Sequence, residues 1–309
     1  MSVAIIAEDF AGMRAQASGL VERVGMSWHF HPVQMQGVWK RLPTRFCPRP
    51  LRATLPIELP TDTRLLVSVG GTGGAVAAAV RKRSGLPLVQ IQNPRMAARH
   101  FDLIIANVHD RIAGRNILSI RTALHGVTRQ KLDGARAAWQ ARLRSPDKAL
   151  LSVLIGGANG RYSFGKAQAE ALAGDLIQIM RTSPVSIALT PSRRTDPEAL
   201  ALLREKLAAH PAWIWDGQGE NPYHGLLACA DVIAVTTDSV SMISEAAATE
   251  APVLVIGLPG RSRRIADFVQ TLAEAGRVRP FRGEWAPWAV TPLDDTDRGA
   301  EEVSRRFAV

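Results

Sequence analysis

Apolar and polar positions along the chain follow two alternating rhythms. Short, nearly unbroken apolar runs at 3–7, 64–69, 88–91, 103–106, 149–157, 185–190, 231–235 and 252–256 predict strands buried on both faces, with a shorter strand at 213–215. Between them the spacing predicts helices over 12–24, 75–84, 128–143, 165–180, 197–209, 222–228, 239–249, 263–275 and 298–307. Apolar strands that alternate with helices argue for a parallel sheet covered on both sides. The pattern occurs twice, more clearly in the second half. The expected fold class is therefore α/β, with two Rossmann-like, doubly wound parallel-sheet domains facing a cleft. A charged, proline-containing stretch at 141–149 suggests the boundary, which gives an N-terminal domain over 1–145 and a C-terminal domain over 146–283. The tail, 284–309, is expected to pack back on the first domain. Residues 32–60 are rich in Pro and Arg with little periodicity and read as a long surface loop or a ligand-capping segment.

Composition narrows this picture. With 309 residues, 46% of them hydrophobic, the chain can fill two cores. No apolar run approaches the roughly 18 residues of a membrane span. The opening MSVAIIAEDF is too short and too acidic for a signal peptide. Cys47 and Cys229 lie far apart and outside any metal-ligand spacing, so a reducing compartment without a disulfide framework is expected. The charge is uneven. Residues 1–150 carry 22 Lys and Arg against 9 Asp and Glu, whereas 151–309 carry 16 against 19. The basic half suits an anionic membrane surface or an acidic ligand. Nucleic acid is disfavoured, because no aromatic-interleaved basic strand, zinc-finger spacing or recognition helix is present.

The candidate chemistry sits at strand-to-helix junctions, where unpaired N–H groups and the helix dipole favour anions. Gly156 and Gly157, followed by Asn159, make a glycine turn after a buried strand. Ser192, Arg193 and Arg194 follow the next strand, two arginines there being suited to phosphate or carboxylate. The richest junction holds Thr237, Asp238, Ser239 and Ser241 and runs into Glu245. Ser239 or Ser241 can cap the helix, and a carboxylate at Glu245 can accept both hydroxyls of a ribose. A further run, Gly70-Gly71-Thr72-Gly73-Gly74, implies close backbone approach. It lacks the Gly-Lys-Ser/Thr of a Walker loop, and no dinucleotide fingerprint is in place. His109 and Asp110 follow the strand LIIAN and are candidates for a general base. No cluster has metal-ligand spacing and no GxSxG elbow occurs, which disfavours metalloenzymes and serine hydrolases.

Taken together, VQIQNPR (89–95), FDLIIANVHD (101–110), LIGGANGRY (154–162), LTPSRRT (189–195) and the long segment 221–253 resemble the mitochondrial-fission family named after a plant "elongated mitochondria" protein, in its bacterial branch. That family resembles the GT-B glycosyltransferases, in which the C-terminal domain holds a nucleotide-sugar donor and the N-terminal domain holds the acceptor. The resemblance implies that Ser239 and Ser241 meet the donor diphosphate, that Glu245 meets the ribose, that Gly156 and Gly157 open the donor domain, and that Arg193 meets the diphosphate. The chain departs from the family pattern around Glu8–Gln16 and at 106–110, both on the acceptor side.

The leading expectation is metal-independent sugar transfer from a nucleotide-activated donor, with no cofactor beyond that donor. The base would be His109 or Asp110. The acceptor would be membrane-associated or lipid-linked, and the protein cytoplasmic and peripheral on the inner face of the membrane. The alternative is a non-catalytic adaptor on the same scaffold. A nucleotide-sugar isomerase would need acid and base carboxylates around the sugar ring, and no convincing pair stands out.

Overall fold

Apolar strands need cover on both faces, and each of the two sheets has it. The computed structural model describes residues 1–308. They divide into two units, 1–126 with 294–308, and 127–293.

The first unit holds a six-stranded sheet, all neighbours parallel. Its strands are β1 (Ser2–Ala7), β2 (Ser27–Pro32), β3 (Thr63–Val69), β4 (Leu88–Ile91), β5 (Leu103–Asn107) and β6 (Ile117–Ile120), ordered β2-β1-β3-β4-β5-β6. Side chains alternate across the pleat. Val3, Ile5 and Ala7 of β1 therefore pack with Ala17, Leu20 and Val21 of α1 (Ala11–Val24). Ala4 and Ile6 face the other way, onto Val76, Ala77 and Val80 of α2 (Gly70–Ser84). The C-terminal helix lies beside α1 and is described below.

The second unit repeats the plan. It contains α3 (Arg129–Leu143), β7 (Ala149–Ile155), α4 (Lys166–Thr182), β8 (Val185–Pro191), α5 (Pro197–Leu207), β9 (Ala212–Ile214), α6 (Tyr223–Cys229), β10 (Val232–Thr236), α7 (Val240–Ala247), β11 (Val253–Ile256), α8 (Arg263–Glu274) and β12 (Val278–Pro280). Its parallel sheet runs β12-β11-β10-β7-β8-β9. Leu150, Leu154, Ile233 and Val235 face one core, while Leu151, Val153, Val232 and Ala234 face the other.

Two boundaries differ from the sequence expectation, for reasons of packing. Helix α3, placed in the first domain by a boundary at 145, sends Trp139 and Leu143 into the second unit's core beside Leu226, Leu227 and Cys229. In the tail, Trp285 and Trp288 pack against the second unit's other core. From Asp294 onward the chain belongs to the first unit, where α9 (Thr296–Phe307) buries Ala300 and Val303 against α1. Arg23 of α1 pairs with Asp294 at 2.9 Å and also with Asp297. Asp295 accepts from the Thr122 amide at 3.2 Å and donates its own amide to Thr122 Oγ1 at 3.0 Å.

Among the described residues, no helix is long and apolar enough to cross a membrane. Because Trp139 fills the seat between α3 and α6, Trp139→Ala is expected to destabilise the second unit by about 3–5 kcal/mol, read by urea denaturation. A loss well below 1 kcal/mol would show that α3 is a loosely held appendage.

Candidate functional site

In a doubly wound sheet, ligands gather at the carboxyl ends of the strands where the winding direction reverses. In the second unit that point lies between β7 and β10. From β7 the chain winds outward through β8 and β9, then returns to β10 and continues through β11 to β12. The glycine turn after β7, the Ser192–Thr195 turn after β8 and the Thr236–Ser239 turn after β10 all lie at this end.

One side chain ties the three turns together. Asp238 is buried, with its carboxylate withdrawn completely from solvent. Its oxygens accept from the Gly157 amide at 3.1 Å, from Thr236 Oγ1 at 2.7 Å and from Arg194 Nη2 at 2.9 Å. Thr236 Oγ1 in turn accepts from the Gly156 amide at 2.7 Å. Asn159 donates its amide to the Asp238 carbonyl at 3.0 Å, while its Oδ1 accepts from the amides of Arg161 and Tyr162 at 3.1 and 3.0 Å. Ser192 Oγ donates to the Gly156 carbonyl at 2.7 Å, and Thr195 Oγ1 donates to the same carbonyl.

This arrangement explains the glycines. A Cβ at Gly156 would lie 2.2 Å from Asp238 Oδ1, and one at Gly157 would lie 2.0 Å from the Arg194 carbonyl. The turn is therefore packed against the protein's own carboxylate, and its amides already have acceptors. The run Gly70–Gly74 has a similar cause in the first unit. It opens α2, and a Cβ at Gly73 would lie 2.7 Å from the Ile6 carbonyl.

The start of α7 has a different character. Ser239 caps it, accepting from the Met242 amide through Oγ at 3.4 Å and from the Ile243 amide through its carbonyl at 3.1 Å. The amides of Val240 and Ser241 are left without an intrahelical partner. Thr237 and Ser241 are half-buried beside them. One and a half turns along the helix, Glu245 accepts a hydrogen bond from the Tyr223 hydroxyl of α6. Burial pushes the Glu245 carboxyl up to about 7, against the pull of the Tyr223 hydrogen bond. Burial, followed by the neighbouring carboxylate, drives the Tyr223 phenol well above its ordinary range.

The far end of α7 is held by Arg277, which is 2% exposed. Its guanidinium donates to the carbonyls of Ala247, Ala246, Thr249 and Ala251 at 2.9, 3.2, 3.2 and 3.1 Å. Burial pulls this guanidinium down to about 10. A cation among these carbonyls complements the negative end of the helix dipole.

The structure thus brings Gly156, Gly157, Asn159, Ser192, Thr237, Asp238, Ser239, Ser241 and Glu245 to one edge of one sheet. Arg193 is exposed at the end of β8, and it is the adjacent Arg194 that reaches Asp238. His109 and Asp110 lie in the first unit, on a short 3-10 turn after β5, with Nε2 and Oδ1 3.9 Å apart and both side chains buried. One participant escaped the sequence reading. Tyr223 lies 22 residues before Glu245, and nothing local marks their pairing. Arg194 and Arg193 are indistinguishable by type, and the turn geometry alone selects between them.

Comparison with known proteins adds two findings. The sequence model of the family described as Mitochondrial fission ELM1 matches residues 11–307. The "Mitochondrial fission protein ELM1" of Arabidopsis thaliana is 30% identical over 273 residues, covering 79% of this chain. The match spans 64% of the plant protein's length. Among solved structures, UDP-GlcNAc 2-epimerase from Methanocaldococcus jannaschii superposes with a TM-score of 0.62 at 14% identity, covering 100% of both chains. The same epimerase in complex with UDP-GlcNAc and UDP gives 0.59 at 13% identity, again covering 100% of both. MurG from Acinetobacter baumannii gives 0.57 at 15% identity, covering 91% of this chain and 86% of its own. At such identities the likeness establishes the fold, which is GT-B-like.

Two outcomes follow from the geometry. Asp238→Ala leaves the Gly157 amide without an acceptor and removes the shared anchor of three turns. It is expected to cost about 3 kcal/mol in urea denaturation, and a neutral result would deny the anchoring role. The second concerns pH. With its carboxyl raised from 4.5 to about 7, folded Glu245 keeps a proton that the unfolded chain has released. Stability from this group is therefore full below pH 4.5 and is lost as pH rises through about 7. Glu245→Gln is expected to match the wild type near pH 4.5 and to exceed it by about 3 kcal/mol near pH 8. A stability difference independent of pH would contradict this.

Proposed function

The chain belongs to the mitochondrial fission ELM1 family, and on that premise we propose that its second unit binds a nucleotide sugar and that the protein transfers the sugar to an acceptor hydroxyl. The observation that carries the proposal is the β10–α7 junction. Two first-turn amides without intrahelical partners, the hydroxyls of Thr237 and Ser241, and the Glu245 carboxylate lie together at the switch point of the sheet. A diphosphate suits the amides and the helix dipole, and a ribose diol suits Glu245. UDP-GlcNAc and UDP are bound by a structural neighbour of the same fold.

The proposed step is a direct displacement. The acceptor oxygen bonds to the anomeric carbon as the bond from that carbon to the diphosphate breaks. The electron pair leaves with the nucleoside diphosphate, and the acceptor proton goes to a base, for which His109 and Asp110 are the candidates. The helix terminus, together with the exposed Arg193 after β8, stabilises the leaving group without requiring a metal ion. An acceptor presented at an anionic membrane fits the basic surplus of the first half.

A non-catalytic adaptor on the same scaffold is the second reading. It is favoured by one observation, that the Gly156–Gly157 amides already have acceptors in Thr236 and Asp238. A thermal-shift series with UDP, GDP, CDP and ADP separates the two. At 100 times Kd a bound nucleotide adds about 2.7 kcal/mol, a rise of several degrees. One of the series is expected to produce that rise and Glu245→Ala to abolish it. No shift with any nucleotide would leave the adaptor reading standing and remove the transferase.

A further inference from the structure

Between β2 and β3 the chain makes a long excursion with an unusual surface. Its base is closed, since Met35 and Thr54 form an antiparallel bridge, the Gln36 amide donates to the Ala53 carbonyl at 2.7 Å and Thr54 Oγ1 donates to the Gln34 carbonyl at 3.2 Å. Val33, Met35, Cys47 and Ile57 are buried in the first unit's core with Val76 and Val80 of α2, and Thr44 is buried as well. Short 3-10 turns at Gly37–Lys40, Thr44–Phe46 and Pro50–Arg52 fill the loop. The excursion is therefore pinned, at its base by the bridge and along its length by its buried residues.

The residues it leaves exposed are both apolar and cationic. Of the seven exposed large hydrophobic residues described, Val38, Leu42, Phe46 and Leu55 fall here, with Val38 65% and Phe46 66% exposed. Scattered apolar residues on a surface are ordinary, but a concentration within one loop is not. Lys40, Arg41, Arg45, Arg49 and Arg52 are interleaved with them, all exposed. No Asp or Glu occurs between Glu22 and Glu58. Arg83 of α2 adds a cation at the base, donating to the Ile57 carbonyl at 3.0 Å. Arg45 lies over the Phe46 ring, 4.7 Å from its centroid. Within the loop is an open pocket of about 430 Å³ lined by Val38, Trp39, Pro48, Arg49 and Arg52 among others.

We infer that this loop is a docking surface for an anionic lipid bilayer. Val38, Leu42 and Phe46 enter the interfacial region, the five cations pair with lipid phosphates, and the Trp39–Arg49–Arg52 pocket admits a headgroup. Charge complementarity names the occupant, since no carboxylate offsets the cations and the apolar side chains between them need a non-aqueous partner. Each Lys or Arg near an anionic surface strengthens binding about fivefold, or about 1 kcal/mol, and exposed apolar residues add insertion to attraction. The inference deepens the proposed function by naming the surface that would meet a membrane, and its vesicle readout is separate from the nucleotide readout that tests sugar transfer.

The test is co-sedimentation of the full chain with vesicles of phosphatidylcholine alone, and of phosphatidylcholine mixed equally with phosphatidylglycerol. The expected result is selective binding to the mixed vesicles, weakened by salt. Arg45→Gln, Arg49→Gln and Arg52→Gln combined are expected to reduce it on the order of 100-fold. Val38→Ser, Leu42→Ser and Phe46→Ser combined are expected to reduce it at least tenfold, with any nucleotide-induced thermal shift unchanged in both variants. Phe46→Cys carrying an environment-sensitive fluorophore supplies a readout that does not depend on those multiple variants folding, and its emission is expected to shift to the blue on mixed vesicles. Equal binding to both vesicle types, unaltered binding by the variants, or no emission shift would overturn the inference. Binding to duplex DNA without binding to mixed vesicles would overturn it in favour of nucleic acid. Free inorganic phosphate displacing the protein from vesicles at millimolar levels would show a phosphate pocket and not a bilayer surface, and would overturn it too.

Discussion

A buried carboxylate must find its donors inside the protein, and Asp238 finds them on three separate turns. It draws the ends of β7, β8 and β10 together through the Gly157 amide, Arg194 and Thr236. This requirement dictates glycine at 156, where any side chain would collide with the carboxylate. It also sets where β10 gives way to α7, and so where the helix presents its amides. At its other end α7 is held by Arg277, whose guanidinium gathers four carbonyls in a buried site. The helix that carries Ser241 and Glu245 is therefore located from both termini.

The glycine turn and the helix start divide the work of handling charge. The turn after β7 is satisfied by the protein's own anion. The start of α7 keeps amides and hydroxyls that the fold itself does not use. A GT-B-like fold and membership of the mitochondrial fission ELM1 family are established by the sheets and the comparisons. Chemistry does not follow from the fold, because one fold hosts many functions. It has to be argued from the helix start and from the Tyr223–Glu245 pair, where burial holds a carboxyl near neutrality.

Strands buried on both faces were legible because their apolar runs are nearly unbroken, as in 149–155 and 232–235. The strands without a prediction, β2, β6 and β12, are all at sheet edges. β2, for example, alternates exposed and half-buried positions and includes two histidines, so its pattern is weak. The membership of α3 was not legible either. Its burial is set by a partner helix more than 80 residues away, and the charged stretch that follows it resembles a linker. At the site, residue types at strand ends located the edge that matters. Which arginine turns inward, and which hydroxyl meets Glu245, depend on backbone direction and on contacts distant in sequence.

A crystal structure of the protein with UDP would show where the nucleotide binds. The diphosphate is predicted within hydrogen-bond distance of the Val240 and Ser241 amides, with the ribose hydroxyls on Glu245 and the Asp238 contacts unchanged. A nucleotide bound elsewhere, or one that enters the glycine turn by displacing Asp238, would contradict it.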